Sequence, residues 1–144
     1  MRKLNTTATR IFCRLLKKMK EQESIQLTSE GYMPLTIERL TANIETGTGK
    51  GTLYSLCHYY EQNGDLMRDP EMCFIVVDNR SHPQEYEAIE IYPQLFRQDS
   101  SDQFDECIRI ENNRVTSYIK VWQQGQCSVA AIWFKNLQQQ GFLK

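Results

Sequence analysis

Residues 53–77 of the chain, LYSLCHYYEQNGDLMRDPEMCFIVV, contain two strand-forming runs on either side of an Asn-Gly pair. The runs Leu53–Glu61 and Met72–Val77 are rich in aromatic and β-branched residues, which favour strands. Asn63 and Gly64 both tolerate the positive φ angles that a two-residue hairpin turn requires. The stretch therefore predicts an antiparallel hairpin with a central strand of a sheet.

Further strands are predicted before and after this hairpin. The run Tyr32–Ile44 precedes it, and Tyr86–Tyr92 continues the sheet after it. The run Phe104–Glu111 alternates between apolar and polar residues, and Val115–Trp122 follows an Asn-Asn turn. The pattern predicts an antiparallel meander of about five to six strands.

The N-terminal region predicts a basic amphipathic helix within residues 1–23. From residue 7 to about residue 22, apolar residues recur at helical spacing, and Thr6 or Thr7 is positioned to cap the helix start. The predicted apolar stripe is Ala8, Ile11, Phe12, Leu15, Leu16 and Met19. We expect this stripe to pack on the core of the domain.

A second helix is predicted near the C-terminus. Ser128 is expected to cap it, and Gly141 is expected to end it in the left-handed conformation, with Phe142 folding back. Its predicted buried stripe is Val129, Ile132, Trp133 and Leu137. The order helix, antiparallel meander, helix predicts a single α+β domain over residues 1–144.

Composition indicates a globular protein outside the membrane. The chain has 144 residues, of which 40% are apolar and 24% are charged. No apolar run approaches the roughly 18 residues that a membrane span needs, and no secretory signal is expected. The five cysteines form no C-x-x-C pair, which favours free thiols in a reducing compartment. A cytoplasmic location is therefore predicted.

Charge is distributed unevenly along the chain. Residues 1–20 contain seven basic residues and no acidic one, whereas the remaining residues contain ten basic and eighteen acidic groups. This asymmetry is compatible with a nucleic-acid-binding arm, a partner site, or a basic helix docked on its own acidic body. The candidate contacts of the helix with nucleic acid or a partner are Arg10, Arg14, Lys17 and Lys18.

The segment from His58 to Met72 concentrates rings and carboxylates and is the first candidate for a functional surface. The candidate residues are His58, Tyr60, Glu61, Asp65, Asp69 and Glu71. Several of them are possible metal ligands, although residues 58 and 61 point to opposite faces if the segment is a strand. The alternative is turn chemistry, in which Asp65 and Asp69 bond to nearby backbone groups. No metal or cofactor is predicted.

Three stretches give the chain a family resemblance. They are Gly31–Leu35, His58–Met72, and Trp133–Leu137 followed by Gln140–Leu143. In this order, over roughly residues 30–144, they resemble an uncharacterised family of small bacterial proteins that plasmids and conjugative transposons often encode. The resemblance implies a small sheet closed by a C-terminal helix, and it implies no catalytic residues.

No local motif predicts nucleophilic catalysis, because neither a Ser-His-Asp order nor a Cys-His pair is evident. We therefore expect a non-catalytic binding or accessory protein of a mobile element that acts through a protein partner. One alternative is a metal-dependent hydrolase or nuclease that uses the segment 58–71. A second alternative is a DNA-binding accessory protein that uses the basic N-terminal helix.

Overall fold

The hairpin around Asn63 and Gly64 lies in the middle of an eight-stranded sheet in the computed structural model, which describes residues 1–144. The strands are β1 (Ser24–Leu27), β2 (Leu35–Thr46), β3 (Gly49–Gln62), β4 (Asp65–Asp78), β5 (Ile89–Gln98), β6 (Gln103–Glu106), β7 (Ile108–Glu111) and β8 (Arg114–Tyr118). The helices are α1 (Thr6–Met19) and α2 (Lys120–Gln139), and short 3-10 turns span Tyr86–Ala88 and Asp99–Ser101. The predicted α+β class is confirmed.

The strands follow the order β6-β5-β4-β3-β2-β8-β7, and β1 also pairs with β2. All neighbours are antiparallel except β2 and β8, which meet in parallel at Glu45 and Arg114. The sequence prediction of five to six strands was too low. It missed the short β1, and it read residues 104–111 as one strand, whereas β6 and β7 are separate elements on either side of Cys107.

The predicted hairpin turn is confirmed, since Asn63 has a φ of 53° and Gly64 a φ of 84°. The paired strands extend further toward the turn than predicted, because Gln62 pairs with Asp65 and Glu61 with Leu66. All four side chains are exposed, including that of Leu66, so backbone pairing rather than burial extends the hairpin at its tip.

One face of the sheet, here called the helix face, is covered by α1 and α2. The predicted apolar stripe of α1 packs there: Ala8, Ile11, Phe12, Leu15 and Met19 are at most 4% exposed, and Leu16 is half-buried. The helix start differs from the prediction, because the Asn5 side chain accepts the capping bond from the Ala8 N–H. Phe12 packs edge-on against Phe74 of β4, with ring centroids 5.1 Å apart.

Helix α2 begins nine residues earlier than predicted, at Lys120 rather than after Ser128. Residues 120–122 are therefore helical and not the end of a strand. The predicted stripe is only half right: Trp133 and Leu137 are buried, whereas Val129 and Ile132 are exposed. The predicted helix end is confirmed, since Gly141 has a φ of 94° and the Phe142 N–H bonds to the Leu137 carbonyl at 3.1 Å.

The other face of the sheet, here called the open face, is partly covered by the β7–β8 hairpin. A small apolar cluster forms beneath this hairpin from Ile75, Val77, Tyr92, Cys107 and Ile108. Cys107 lies between β6 and β7, and its N–H donates to the Gln94 carbonyl of β5 at 2.9 Å. The chain therefore stays next to β5 as it passes from β6 into β7. The sheet therefore curls toward closure on this face.

Neither helix combines the length and apolar character needed to cross a membrane.

Candidate functional site

His58 lies in β3 on the helix face, where it is 7% exposed. Its Nδ1 donates to the Pro34 carbonyl at 3.1 Å, and its ring lies 5.6 Å from Trp133 and 5.8 Å from Phe142. Burial is the largest influence and lowers the pKa of His58, because a charged ring would lose its hydration. His58 is therefore a neutral core residue that joins β3 to the end of α2.

Glu71 lies on the open face, opposite Cys57. The Ser55 hydroxyl donates to Glu71 Oε2 at 2.6 Å, and Arg97 Nη1 lies 3.9 Å from Glu71 Oε1. Cys73 is nearby on the same face. Burial raises the pKa of both Cys57 and Cys73 to about 12, which keeps these thiols protonated and weakly nucleophilic near neutral pH.

A register change separates His58 from Glu71. Near the turn, Tyr59 pairs with Arg68, but beyond His58 the pairing shifts by one residue so that Cys57 pairs with Glu71. Such a shift exchanges the faces of all residues beyond it. Without it Glu71 would oppose Leu56 on the helix face, beside His58.

The other candidate residues of this segment are divided between a bonded network and the hairpin tip. Asp69 Oδ1 accepts from Gln98 Nε2 at 2.5 Å and from Ser100 Oγ at 3.3 Å, which connects β4 to the 99–101 turn. Tyr60 is half-buried, whereas Glu61 and Asp65 are exposed near the turn. No three His, Cys, Asp or Glu side chains are grouped so that they could hold a metal ion.

The cations of α1 lie on its outward side. Arg10, Arg14 and Lys17 are exposed, and Lys18 donates to the Lys144 carbonyl at 2.9 Å. None of the six ion pairs in the structure includes a residue from 1–20. Of the three alternatives for the charge asymmetry, docking of the basic residues on acidic groups of the body is not observed, and α1 packs on the sheet through its apolar stripe.

The sequence analysis missed an apolar surface on α2. Trp122, Val129 and Ile132 are 46%, 42% and 64% exposed, and Gly125 lies between the first two with no atom within 4 Å of an added Cβ. Their spacing of three, four and three residues is the spacing of a helix–helix seam. The spacing is visible in the sequence, but the strand predicted over Val115–Trp122 places Trp122 outside the helix.

A groove runs between this surface and the edge strand β6. The groove has a volume of about 340 Å³, and it is lined by Phe96, Gln103, Asp105, Val121, Trp122, Gly125, Gln126 and Val129. We call it the α2 groove. Gln126 fixes its width, because Gln126 Nε2 donates to the Asp105 carbonyl at 2.8 Å and so connects α2 to β6.

The chain segment that contains β6 is acidic. Residues 98–108 contain four carboxylates and no basic residue. Asp99 is paired with Arg68 at 3.1 Å, whereas Asp102, Asp105 and Glu106 have no cationic partner. Of these carboxylates, Asp105 lines the α2 groove, whereas Glu106 lines a separate depression on the open face. The groove is therefore apolar at its base and has one unpaired carboxylate on its β6 side.

Comparison with known families gives one match. The model of DUF6908, a domain of unknown function, matches residues 10–143, and the chain therefore belongs to this family. The match begins within α1, so it reaches further toward the N-terminus than the resemblance over residues 30–144 indicated. Neither the curated proteins nor the solved structures contain a match.

Proposed function

We propose that this DUF6908 protein is a non-catalytic binding protein whose α2 groove receives an amphipathic, basic helix of a partner protein. The observation that supports the proposal best is the solvent-exposed seam of Trp122, Gly125, Val129 and Ile132 beside a formed groove. The bacterial origin, the association with a mobile element and the cytoplasmic location inferred from the sequence belong to the same proposal.

The apolar character of the surface supports a helical occupant. A helix that binds in a groove uses apolar residues at spacings of three and four, which is the spacing that α2 itself presents. Trp122 is half-exposed at the mouth of the groove, and tryptophan is among the residues that contribute most to protein interfaces. Because Gly125 has no side chain and no atom lies within 4 Å of an added Cβ, a partner side chain has room next to the α2 backbone.

The charges favour a partner protein over a second copy of this chain. The unpaired carboxylate of Asp105, which lines the α2 groove, favours lysine or arginine on the occupant. The charged residues of α2 are only Lys120 and Lys135. At about 100° per residue, Lys120 lies on the side of α2 opposite the seam and Lys135 lies well away from the seam centre. An α2 of a second copy packed through its seam would therefore bring no lysine to Asp105.

The sequence left two alternatives, a metal-dependent hydrolase or nuclease and a nucleic-acid-binding protein. A metal-dependent hydrolase or nuclease would need carboxylates that converge, and His58 and Glu71 lie on opposite faces of the sheet. A nucleic-acid-binding role concerns α1, which contributes no residue to the α2 groove.

The occupant can be identified by placing a photo-crosslinking amino acid at Val129 in cells that carry the gene naturally. The same group at Ser117, an exposed position on β8, serves as the control. The crosslinked segment of the captured protein is then synthesised, and calorimetry measures its affinity for the wild type, Val129→Asp and Gln124→Asp. Gln124 is exposed on a different side of α2, so its substitution adds the same charge outside the groove.

We expect a helix-forming segment with basic residues, an affinity loss of at least about tenfold for Val129→Asp, and little change for Gln124→Asp. Crosslinks that are no stronger than those from Ser117 would contradict the proposal. A wild-type dimer in sedimentation analysis that Val129→Asp dissociates would replace the partner protein with a second copy.

A further inference from the structure

Helix α1 presents a surface whose polarity is unlike the rest of the chain. Its apolar stripe is buried on the sheet, so its solvent-exposed side consists of polar and basic residues. Arg10, Arg14 and Lys17 occur at spacings of four and three residues and are all exposed on it. We call these three residues the α1 basic surface.

The positive charge of the α1 basic surface is not neutralised within the protein. Arg10, Arg14 and Lys17 take part in no ion pair. Arg14 instead donates to the main-chain carbonyl of Leu143 at 3.5 Å, which holds the side chain without removing its charge. The guanidinium of Arg10 lies 5.1 Å from the centre of the Tyr86 ring, a contact that also leaves its N–H groups available.

Two adjoining depressions run between α1 and the loop that connects β4 to β5. They have volumes of about 230 and 340 Å³ and share Gln84 and Tyr86 in their linings. Arg10 lines the first, and Arg14 and Lys17 line the second. The cations therefore border a continuous shallow channel on one side of the helix.

Arg80 lines the second depression, but its charge is already matched. Its guanidinium bonds to both carboxylate oxygens of Asp78 at 2.9 Å. The pair lowers the pKa of Asp78 through the hydrogen bonds from Arg80, so the carboxylate stays ionised beside the cation. The first depression is also lined by Lys3 and Glu87, whose opposite charges offset each other. The net positive charge of the channel therefore equals that of the α1 basic surface.

We propose that the α1 basic surface binds the phosphate backbone of nucleic acid without reading its sequence. Along an α-helix, spacings of four and three residues correspond to about 6 and 4.5 Å. These separations let neighbouring cations reach successive phosphates, and the guanidinium groups of Arg10 and Arg14 can each bond a phosphate through two N–H groups.

Two other polyanionic targets fit the surface less well. A membrane-surface helix inserts an apolar side into the bilayer, and here Ile11, Phe12 and Leu15 are buried in the core. An interface with an acidic protein would have an apolar centre, which the exposed side of α1 lacks. Nucleic-acid interfaces are more polar and more positively charged, as this one is.

The test is fluorescence anisotropy of a labelled 20-base-pair duplex DNA titrated with the full chain at several salt concentrations. The test variant replaces Arg10, Arg14 and Lys17 with alanine. The control variant replaces Arg114, Lys120 and Lys135 with alanine. These residues are also exposed and outside any ion pair, so the test and control variants each lose three positive charges. Unlabelled duplex, single-stranded DNA and poly-glutamate serve as competitors.

For three phosphate contacts, the logarithm of affinity should fall with the logarithm of salt concentration with a slope of about −2.7, or about 40-fold between 50 and 200 mM. We expect the test variant to lose most of this binding and the control variant to retain it within about twofold.

Absence of saturable binding at 50 mM salt would overturn the proposal, as would an equal loss in both variants. Stronger competition by poly-glutamate than by DNA would assign the surface to an acidic protein. These outcomes do not depend on the α2 groove, so this inference and the proposed function can fail separately.

Discussion

His58 shows how burial changes the role of a residue that a sequence offers as a ligand. Its Nδ1 donates a hydrogen bond to the Pro34 carbonyl, and its ring packs against Trp133 and Phe142. Protonation would place a charge among these rings. Backbone hydrogen bonds with Pro34 and Met33 and the nearby charge of Asp69 only partly offset the effect of burial on the pKa. The folded state therefore favours the neutral ring, whereas the unfolded chain titrates near its usual pKa of about 6.5.

This difference predicts that His58 makes the protein less stable as the pH falls. Because the folded pKa is lowered, the unfolded state binds more protons below about pH 6.5, and the free energy of unfolding decreases there. We expect the wild type to lose more stability between pH 7.5 and 5.5 than His58→Gln, by at most about 1.4 kcal/mol per pH unit.

Urea unfolding of both proteins at each pH measures this difference, since the other ionisable groups are common to both. Equal losses in the two proteins would show that His58 does not titrate differently on folding.

At the scale of the element, α2 has apolar residues on two sides, and only one side is covered. Ala130, Trp133, Phe134 and Leu137 pack into the core, while Val129 and Ile132 are exposed. Helical periodicity identifies apolar positions, but it cannot say which of two stripes meets the sheet. That choice follows from how Phe134 packs against Phe12 and Phe74 across the helix face.

The exposed side of α2 predicts opposite effects of one methyl group on stability and binding at Gly125. No atom lies within 4 Å of an added Cβ, so Gly125→Ala should stabilise the helix by about 0.5–1 kcal/mol. The same methyl narrows the α2 groove, and we expect several-fold weaker binding of the partner peptide. Thermal unfolding and calorimetry measure the two effects.

Gly51→Ala is the control for the stability effect. Its added Cβ would lie 2.6 Å from the Ile75 Cγ2, so this substitution should destabilise the protein by about 1–3 kcal/mol. A Gly125→Ala variant that binds the peptide as tightly as the wild type would argue against an occupant close to the α2 backbone.

At the scale of the whole molecule, the two proposed surfaces are separate. The α2 groove is bounded by β6 and the second half of β5, whereas the channel beside α1 is bounded by the loop before β5. The two share no lining residue, and their charges are opposite in sign. The two proposals together imply that the protein binds a basic partner and a polyanion at the same time.

We expect the two binding activities to respond independently to mutation. Val129→Asp should leave the affinity for duplex DNA within about twofold of the wild type, and the triple α1 variant should do the same for the partner peptide, because well-separated sites are usually additive. Measuring each affinity with and without the other ligand extends the test. A reciprocal change in both would show that the sites are coupled.

Local rules of the chain determined much of this fold. The stripe of α1, the turn at Asn63 and Gly64 and the helix end at Gly141 each depend on neighbouring residues, so they could be predicted from the sequence. The candidate site could not, because a register shift beside His58 sends Glu71 to the open face. The side of α2 that is exposed likewise depended on long-range packing. Both depend on contacts between residues far apart in the chain, which composition and periodicity do not encode.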